Sequence, residues 1–319
     1  MNKDLERRIA LNLVKNGANI KDELFQSLYN DKEFMIETLK INKDISGVFQ
    51  FASDELKNDK SVVLQAVSNN GFSLRYASEK LRSDSDVVLT AINQHGNTIA
   101  YASDNYKHDS NYVYMALKND GSSLKYVGEE FKNNKDMVLV AVSNNGNALE
   151  FASDDLRKDK EVVLTAVKNY DLSLQNAQPC LLDDKEFCLE AVKYGRSINF
   201  ISDKLKDDKD IALVAIKNSD GWSVLDSLSD RLKDDKDIVK EAILINAQNL
   251  IYASDRLKDD RDLVYIVCKI DKECVRFASE RWKKVEDPIK AIESEIFKEK
   301  LEKSITVNKP QAVVKKIKL

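Results

Sequence analysis

The chain has 319 residues, of which 43% are hydrophobic and 33% are charged, and its 50 basic and 54 acidic residues give a formal net charge of −4. This balance gives no global reason to expect nucleic-acid binding, because phosphate binding needs a clustered basic excess. No apolar run approaches the roughly 18 residues that a membrane-spanning helix needs.

The first predicted element is an amphipathic helix from Lys3 to Lys15, in which charged residues alternate with Leu5, Ile9 and Leu13 at helical spacing. Residues 1–27 depart from the pattern that follows them, and they lack the apolar core of a signal peptide. We interpret residues 1–27 as an N-terminal helical cap, because the end of a repeat array exposes an apolar face that has to be covered.

Internal repeats decide the fold class of residues 28–293. Glycines recur with a spacing of 25 residues, and alanines recur with the same step. The glycine positions are Gly71, Gly96, Gly121 and Gly146. Written as one unit, the repeat is ASDxLKxDKxVVLxAVxNNGxSLxY, and about ten such units follow one another. Self-similarity at a short fixed period is typical of repeat architectures, so the sequence predicts an all-α solenoid of tandem two-helix units.

Each unit is predicted to contain two short helices. An aspartate precedes the apolar-periodic run, where its side chain can accept hydrogen bonds from first-turn N–H groups as an N-cap. In the first full unit this helix runs from Lys60 to Asn70, and Gly71 is predicted to end it in the left-handed conformation, which Asp171 is expected to adopt where glycine is missing. The second helix is predicted to continue from Ser73 to about Arg82. The N-cap aspartates are Asp59, Asp84, Asp109, Asp159, Asp184, Asp208, Asp235 and Asp260.

The array is predicted to end at residue 293, within a segment (284–302) that suggests one or two polar helices. Residues 294–319 are interpreted as a C-terminal helix end and a basic tail. Two interpretations of residues 304–319 are open: a disordered tail, or a strand that pairs with another element.

Residues that could carry chemistry are few and scattered. The two histidines, His95 and His108, lie in predicted loops without a second ligand at metal-binding spacing. The Asp-Asp-Lys runs, such as Asp207-Asp208-Lys209, repeat one position of the unit and lack the spacing of a calcium loop, so we interpret them as helix caps. No phosphate-binding, dinucleotide-binding or protease motif is present. The sequence therefore predicts no catalytic residue, no metal site and no cofactor.

An asparagine column occupies one position near the end of the first helix of several units. One interpretation is structural, with each amide bonding helix-end carbonyls or the next unit to form a ladder. The other is functional, with a row of amides lining a binding surface, as in helical repeats that read one RNA base per unit. Lysines stand one position earlier in only some units, at Lys118, Lys168, Lys193, Lys217 and Lys269. The column consists of Asn69, Asn119, Asn144, Asn169 and Asn218.

An aromatic column, which includes Tyr76 and Tyr126, is interpreted as part of the core. It is interrupted within residues 170–226, where the units also change length. Departures from a repeat consensus are places where a specific partner is engaged, and Tyr and Trp are enriched among interface hot spots. Tyr170, Tyr194 and Trp222 are therefore candidate partner-binding residues, and simple decay of the repeat is the competing interpretation.

The unit ASDELKNDKSVVLQAVSNNGFSLRYASEKL resembles the repeats catalogued as domain of unknown function 4116, which carry the same D-K-E-V-V-L-x-A-V-x-x-N-G-x-x-L-x-x-A-S-x-x-L signature. The similarity is strong through the first five units and weaker beyond Gln178. The resemblance implies a helical repeat and brings no activity or binding residue with it.

The function is therefore predicted from the architecture. We expect a non-catalytic scaffold, adaptor or inhibitor that engages a protein through variable helix positions such as Gln65, Thr90 and Met115. The alternative is binding of RNA or single-stranded DNA along the repeat surface. The chain has four cysteines, which form no CxxC pair, and it lacks a signal peptide. Both features favour reduced thiols in a cytoplasmic protein with no membrane contact.

Overall fold

A computed structural model describes residues 3–16, 23–41 and 48–307. All regular structure among these residues is helical, as expected for an α-solenoid of tandem repeats. The chain divides into two compact units, Met1–Leu182 and Asp183–Leu319.

Long helices, numbered here in chain order, recur once in each repeat. In the first unit they are α1 (Lys3–Lys15), α2 (Lys32–Ile41), α3 (Lys60–Asn69), α4 (Ser85–Gln94), α5 (Ser110–Asn119), α6 (Lys135–Asn144) and α7 (Lys160–Asn169). In the second unit they are α8 (Lys185–Ala191), α9 (Lys209–Lys217), α10 (Lys236–Ile245), α11 (Arg261–Ile270) and α12 (Pro288–Val307).

Short helical segments connect the long helices. The 3-10 segments are Glu23–Leu28, Phe49–Phe51, Gly71–Tyr76, Gly96–Tyr101, Gly121–Tyr126, Gly146–Phe151, Leu156–Lys158, Asp171–Asn176, Gly195–Asn199, Leu225–Ser227, Ala247–Tyr252 and Lys272–Phe277. The four-residue α-helical turns are Asp54–Lys57, Glu79–Arg82, Asp104–Lys107, Glu129–Lys132, Pro179–Leu182, Asp203–Lys206, Asp230–Lys233, Asp255–Lys258 and Glu280–Lys283.

The prediction of a continuous second helix from Ser73 to Arg82 is wrong. Ala77 and Ser78 have extended backbones, with ψ of 154° and 155°, and they separate the 3-10 segment from the four-residue turn. The Ser78 N–H donates to the Lys57 carbonyl of the preceding repeat at 2.9 Å. A continuous helix would use that N–H internally, so the break allows a hydrogen bond between repeats.

The same backbone hydrogen bond recurs along the chain. It joins Ser103 to Arg82 at 3.0 Å, Ser153 to Lys132 at 2.9 Å, Ser254 to Lys233 at 3.0 Å and Ser279 to Lys258 at 3.0 Å.

The predicted N-caps are confirmed. Asp59 Oδ1 accepts hydrogen bonds from the backbone N–H groups of Ser61 at 2.9 Å and Val62 at 3.4 Å. The remaining aspartates of the column cap their long helices with the same kind of bond, namely Asp84, Asp109, Asp159, Asp184, Asp208, Asp235 and Asp260.

The core lies between long helices and 3-10 segments. In α3, Val62, Val63, Ala66 and Val67 are buried, and Leu74 of the following segment is buried with them. Helix α3 packs on α4, and this neighbour contact recurs through α6 and α7. Neighbour packing of this kind is what stabilises helices that would be marginal alone at ten residues.

Helices α1 and α12 flank the repeats. Helix α1 packs on α2 with Ala10, Leu11 and Val14 buried. The polar segment expected near residues 284–302 is one helix, α12, which packs on α11. Residues 304–307 continue α12. The rest of the tail, which we expect to be either disordered or a paired strand, lies outside the described residues.

The prediction that the repeat glycines adopt the left-handed conformation is wrong. Among the described residues, positive φ angles occur at Gly195, Asp220 and Gly221, and neither Gly71 nor Asp171 shares them. Glycine is needed for a different reason, because a Cβ would collide with the carbonyl oxygen of an alanine in the next repeat. The separations from such a Cβ are 2.5 Å for Gly71 and Ala91, 2.3 Å for Gly96 and Ala116, 2.1 Å for Gly121 and Ala141, and 2.5 Å for Gly146 and Ala166.

Replacing Gly121 with alanine tests this close approach. We expect Gly121→Ala to lower the free energy of unfolding by about 1–3 kcal/mol or more, because the backbone of α6 has to move. Gly128→Ala is the matched control, because its Cβ would meet only the flexible carboxylate of Glu130. Urea unfolding followed by circular dichroism measures both. Equal stability of the two variants would contradict the interpretation.

Candidate functional site

The C-terminal ends of the long helices carry the asparagine column. Asn144 Nδ2 donates to the Lys118 carbonyl at 3.0 Å, and its Oδ1 accepts from the Gly121 N–H at 2.7 Å. One amide therefore ties α6 both to the end of α5 and to the following glycine. We call this pair of bonds the asparagine bridge. It recurs for Asn119 with Asn93 and Gly96 at 3.1 and 2.8 Å, and for Asn169 with Ser143 and Gly146 at 3.0 and 2.7 Å.

The other two asparagines of the column are placed differently. Asn69 Nδ2 donates to the Leu39 carbonyl, which also joins neighbouring repeats. Asn218 Nδ2 donates to the Val214 carbonyl of its own helix at 2.7 Å. The ladder interpretation thus describes four asparagines, and their amides have an internal role that requires no partner. A partner-binding role for the column stays a prediction.

The asparagine bridge is replaced at the end of the second unit. Ile245 and Ile270 take the position of Asn144 at the ends of α10 and α11, and Ala247 and Lys272 take the position of Gly121. Ile245 is 47% exposed and Ile270 is 49% exposed, and the preceding Leu244 is 50% exposed. We call Leu244, Ile245 and Ile270 the apolar edge.

The apolar edge occupies corresponding positions at the ends of two successive long helices, α10 and α11. In the asparagine bridge, Asn144 contacts the carbonyl of Lys118 at the end of the preceding helix. Ile270 takes the position of Asn144, and Leu244 takes the position of Lys118. The sequence interpretation missed this edge. Comparing the asparagine position across all repeats would have shown it, because an amide is replaced by isoleucine in two successive units.

The aromatic candidates differ in their exposure to solvent. Tyr170 is 38% exposed at the end of α7 in the first unit. Tyr194 and Trp222 are half-buried in the second unit, and Trp222 Nε1 is buried without a hydrogen-bond partner among the described residues. Tyr170 is therefore the most accessible of the three, and their role as partner anchors stays a prediction.

The irregular loop next to Trp222 is held by the following repeat. Asn246 Nδ2 donates to the Gly221 carbonyl at 2.7 Å, and Ser223 Oγ donates to Asn249 Oδ1 at 2.6 Å. Asp220 and Gly221 have φ angles of 47° and 85°, so the loop turns through two left-handed residues.

The aromatic column lies at the margin of the core, and its rings are partly rather than fully buried. Tyr126 is 38% exposed, and Tyr76 and Phe151 are intermediate. Tyr76, Tyr126 and Phe151 are each the last residue of a 3-10 segment, just before the extended break that a continuous helix would not have. Cations of the chain lie over these rings, with Arg75 Cζ 4.5 Å from the centre of Tyr76.

An ion-pair ladder follows the opposite ends of the long helices. The first residue of one helix, a lysine, reaches the N-cap aspartate of the next repeat. The Nζ–Oδ2 distances are 2.6 Å for Lys32 and Asp59, 2.9 Å for Lys60 and Asp84, 2.9 Å for Lys135 and Asp159, 2.7 Å for Lys185 and Asp208, 2.9 Å for Lys209 and Asp235, and 2.8 Å for Lys236 and Asp260.

The ladder shifts the titration of its aspartates. Burial acts to raise the pKa of Asp59, but hydrogen bonds from Lys32, Ser61 and two backbone N–H groups outweigh it and lower the pKa to about 2. The pKa of Asp84 is lowered mainly by its hydrogen bond from Lys60.

Both aspartates of the Asp-Asp-Lys runs have structural roles. The second aspartate, such as Asp208, is the N-cap and accepts from the lysine of the preceding repeat. The first, Asp207, accepts from Ser229 and from Arg231 Nε at 2.9 Å in the next repeat, and these bonds lower its pKa. Asp234 does the same with Ser254 and with Arg256 at 3.0 Å.

The histidines and cysteines do not form a cluster. His108 Nδ1 lies 2.6 Å from Glu130 Oε1, and the His95 ring lies 4.9 Å from the Phe72 ring. No group of three metal-binding side chains occurs among the residues that the structure describes. Within the same residues, no helix has both the length and the apolar character to cross a membrane.

Grooves separate neighbouring long helices on their solvent side. In the first unit, a groove of about 430 Å³ is lined by Lys118, Leu139, Val140, Ser143 and Asn144. In the second unit, a groove of about 390 Å³ is lined by Lys209, Leu213, Lys217, Asp237, Lys240 and Glu241. The variable positions Gln65, Thr90 and Met115 are partly exposed on this same side of the helices.

Comparisons with known proteins agree with the repeat architecture. A family model described as Domain of unknown function (DUF4116) matches the chain eight times, at residues 31–82, 59–107, 84–132, 109–157, 134–182, 159–205, 184–233 and 235–283. No curated protein and no solved structure matches the chain.

Acidification tests the ion-pair ladder. Because folding lowers the pKa of Asp59 from 3.8 to about 2, its contribution to stability is complete above pH 4 and is lost as the pH falls towards 2. Exposed pairs contribute about 0.2–1 kcal/mol each, so the ladder should lose a few kcal/mol over this range. Urea unfolding at pH 7, 4 and 2.5 measures the loss.

The control for acidification is Asp59→Asn, which should reduce the pH dependence. Asp109→Asn should reduce it less, because the preceding repeat has Ser85 where a lysine would pair with Asp109. Identical pH profiles for the two variants would contradict the ladder.

Asn144→Ala tests the asparagine bridge. It leaves the buried Gly121 N–H and the Lys118 carbonyl without these bonds, so we expect a loss of about 1–3 kcal/mol in the free energy of unfolding. Asn147→Ala is the control, because the Asn147 side chain is exposed and makes no hydrogen bond within the described part of the chain. Urea unfolding compares the two, and an equal effect of both substitutions would refute the bridge.

Proposed function

The chain belongs to the family described as Domain of unknown function (DUF4116), and from its architecture we propose that it is a non-catalytic cytoplasmic scaffold that binds another protein, as an adaptor or inhibitor. The observation that carries the proposal is the apolar edge. Leu244, Ile245 and Ile270 are each about half exposed at positions where earlier repeats have polar residues.

The apolar edge is not needed for packing inside the array. Earlier repeats fold with Ser143 and Asn144 at the corresponding positions, and there the amide adds two hydrogen bonds between repeats. Isoleucine gives up those bonds and leaves apolar surface in water, which costs roughly 25 cal/mol per Å². Clustered exposed apolar side chains mark protein-interaction sites. A partner that covers these side chains would explain why isoleucine replaces asparagine here.

The ladders support a rigid binding surface. In the first unit, asparagine bridges, lysine–aspartate pairs and serine backbone bonds connect neighbouring repeats. A surface that is ordered before binding loses less conformational entropy on association. Helix-lined surfaces of this kind receive extended or helical segments of other proteins.

The side-chain chemistry supports a role without catalysis. General acid–base catalysis favours a pKa near the working pH, whereas caps and ion pairs lower the pKa of aspartates such as Asp59 and Asp207. Burial and a hydrogen bond to Asp271 raise the pKa of Cys274 to about 11, so this thiol stays protonated and unreactive. Protonated, unpaired thiols suit a reducing compartment.

Binding of RNA or single-stranded DNA has less support. The amides that would read bases are hydrogen-bonded to neighbouring repeats. Of the lysines beside them, Lys193 lies 2.5 Å from Glu190 and Lys269 lies 3.8 Å from Glu293. Phosphate binding requires unneutralised cations in larger number.

The double variant Ile245→Asn/Ile270→Asn tests the apolar edge. It installs the residue that earlier repeats carry, so we expect the free energy of unfolding to change by less than about 0.5 kcal/mol. Partner recovery should fall at least tenfold, because buried apolar anchors dominate interface energy. A tagged pull-down from the native host after nuclease treatment, read by quantitative mass spectrometry, measures the recovery.

Ser143→Ala is the matched control in the first unit and should leave recovery unchanged. Undiminished recovery of the same partner by the double variant would contradict the proposal. Recovery that disappears with nuclease alone would replace it with nucleic-acid binding.

A further inference from the structure

The second unit's groove runs along α9 and α10 towards Leu244 and Ile245. Lys240 and Glu241 line it, and Leu244 follows them by one turn of α10. The corresponding groove of the first unit is lined by Ser143 and Asn144, which occupy the positions of Leu244 and Ile245. The correspondence places Leu244 and Ile245 of the apolar edge at the end of the 390 Å³ groove, with Leu213 as an apolar lining residue.

The groove has an excess of unpaired positive charge. Lys209 is neutralised by Asp235 at 2.9 Å and by Asp237 at 3.6 Å. Lys217 and Lys240 make no ion pair within the described part of the chain, and Glu241 is the only other carboxylate lining the groove. Lys240 and Glu241 are adjacent in sequence, so they do not face each other on the helix.

We propose that this surface binds an acidic amphipathic segment of another protein, an inference that rests on the scaffold function proposed above. An apolar side chain of the segment covers Leu244 and Ile270. Carboxylates about one helical turn away pair with Lys217 and Lys240. A charged pair at the rim sets orientation and specificity, while the apolar contact supplies most of the affinity.

A protein segment fits this surface better than a nucleic acid. Two unpaired lysines beside Asp237 and Glu241 do not form a phosphate track. The apolar edge offers aliphatic side chains, whereas single-stranded nucleic acids stack on aromatic ones. Apolar and acidic side chains occur together in amphipathic protein segments.

A random 12-residue peptide library, displayed and selected on the full chain, tests the proposal. Selected peptides should combine Leu, Ile or Phe with Asp or Glu. The best peptide is then measured by fluorescence anisotropy. We expect Lys217→Glu/Lys240→Glu to weaken it at least tenfold, and we expect a peptide with lysine in place of its acidic residues to regain binding to that variant. Lys168→Glu, a lysine of the first unit, is the control and should have no effect.

The outcomes separate this inference from the proposed function. If Ile245→Asn/Ile270→Asn abolishes peptide binding but the lysine variant binds normally and selection shows no acidic bias, the inference is overturned and the scaffold function stands. If no peptide is selected, or the isoleucine variant binds normally, both are overturned. Labelled homopolymeric RNA that binds through Lys217 and Lys240 alone would also overturn both.

Discussion

The close approach of Gly121 to the carbonyl oxygen of Ala141 is the contact on which the rest of the repeat geometry depends. A Cβ at Gly121 would lie 2.1 Å from that oxygen, so at this position only glycine allows so close an approach of the 3-10 segment to the next long helix. The same approach places the Gly121 N–H against the side chain of Asn144. Gly121 and Asn144 therefore act together across the boundary between two repeats.

Three kinds of polar contact join neighbouring repeats within the units, although not every pair of repeats has all three. The asparagine bridge lies at the ends of the long helices, the lysine–aspartate pair lies at their beginnings, and the serine N–H bond lies beside the four-residue turn. All of them connect nearest neighbours, and the helices are too short to be stable alone. Stability is then a sum of repeat and interface contributions, so an interface can change chemistry locally, as it does at Ile245 and Ile270, without loss of the fold.

The parts of the structure that follow from side-chain type could be predicted from the sequence. The repeat period and the N-cap role of Asp59 are examples, because both are local patterns. The break at Ala77 could not be predicted, since the helical spacing of Leu74 and Leu81 is kept and the extended residues gain their hydrogen bond from Lys57 in another repeat. The role of Gly71 was missed for the same reason, because the carbonyl it contacts lies in the next repeat. The apolar edge was accessible to sequence comparison among repeats, but its exposure required the packing of α10 and α11.

The most direct test of this account is native-state hydrogen exchange at the glycine position of successive repeats, measured by NMR. The Gly96, Gly121 and Gly146 amides donate to asparagine side chains, whereas Ile270 offers no acceptor at the position that faces Ala247. The account predicts strong protection of the three glycine amides and markedly faster exchange at Ala247. Equal protection at Gly121 and Ala247 would contradict it, because the asparagine bridge would then not be what distinguishes the repeats that contain it from the repeats of the apolar edge.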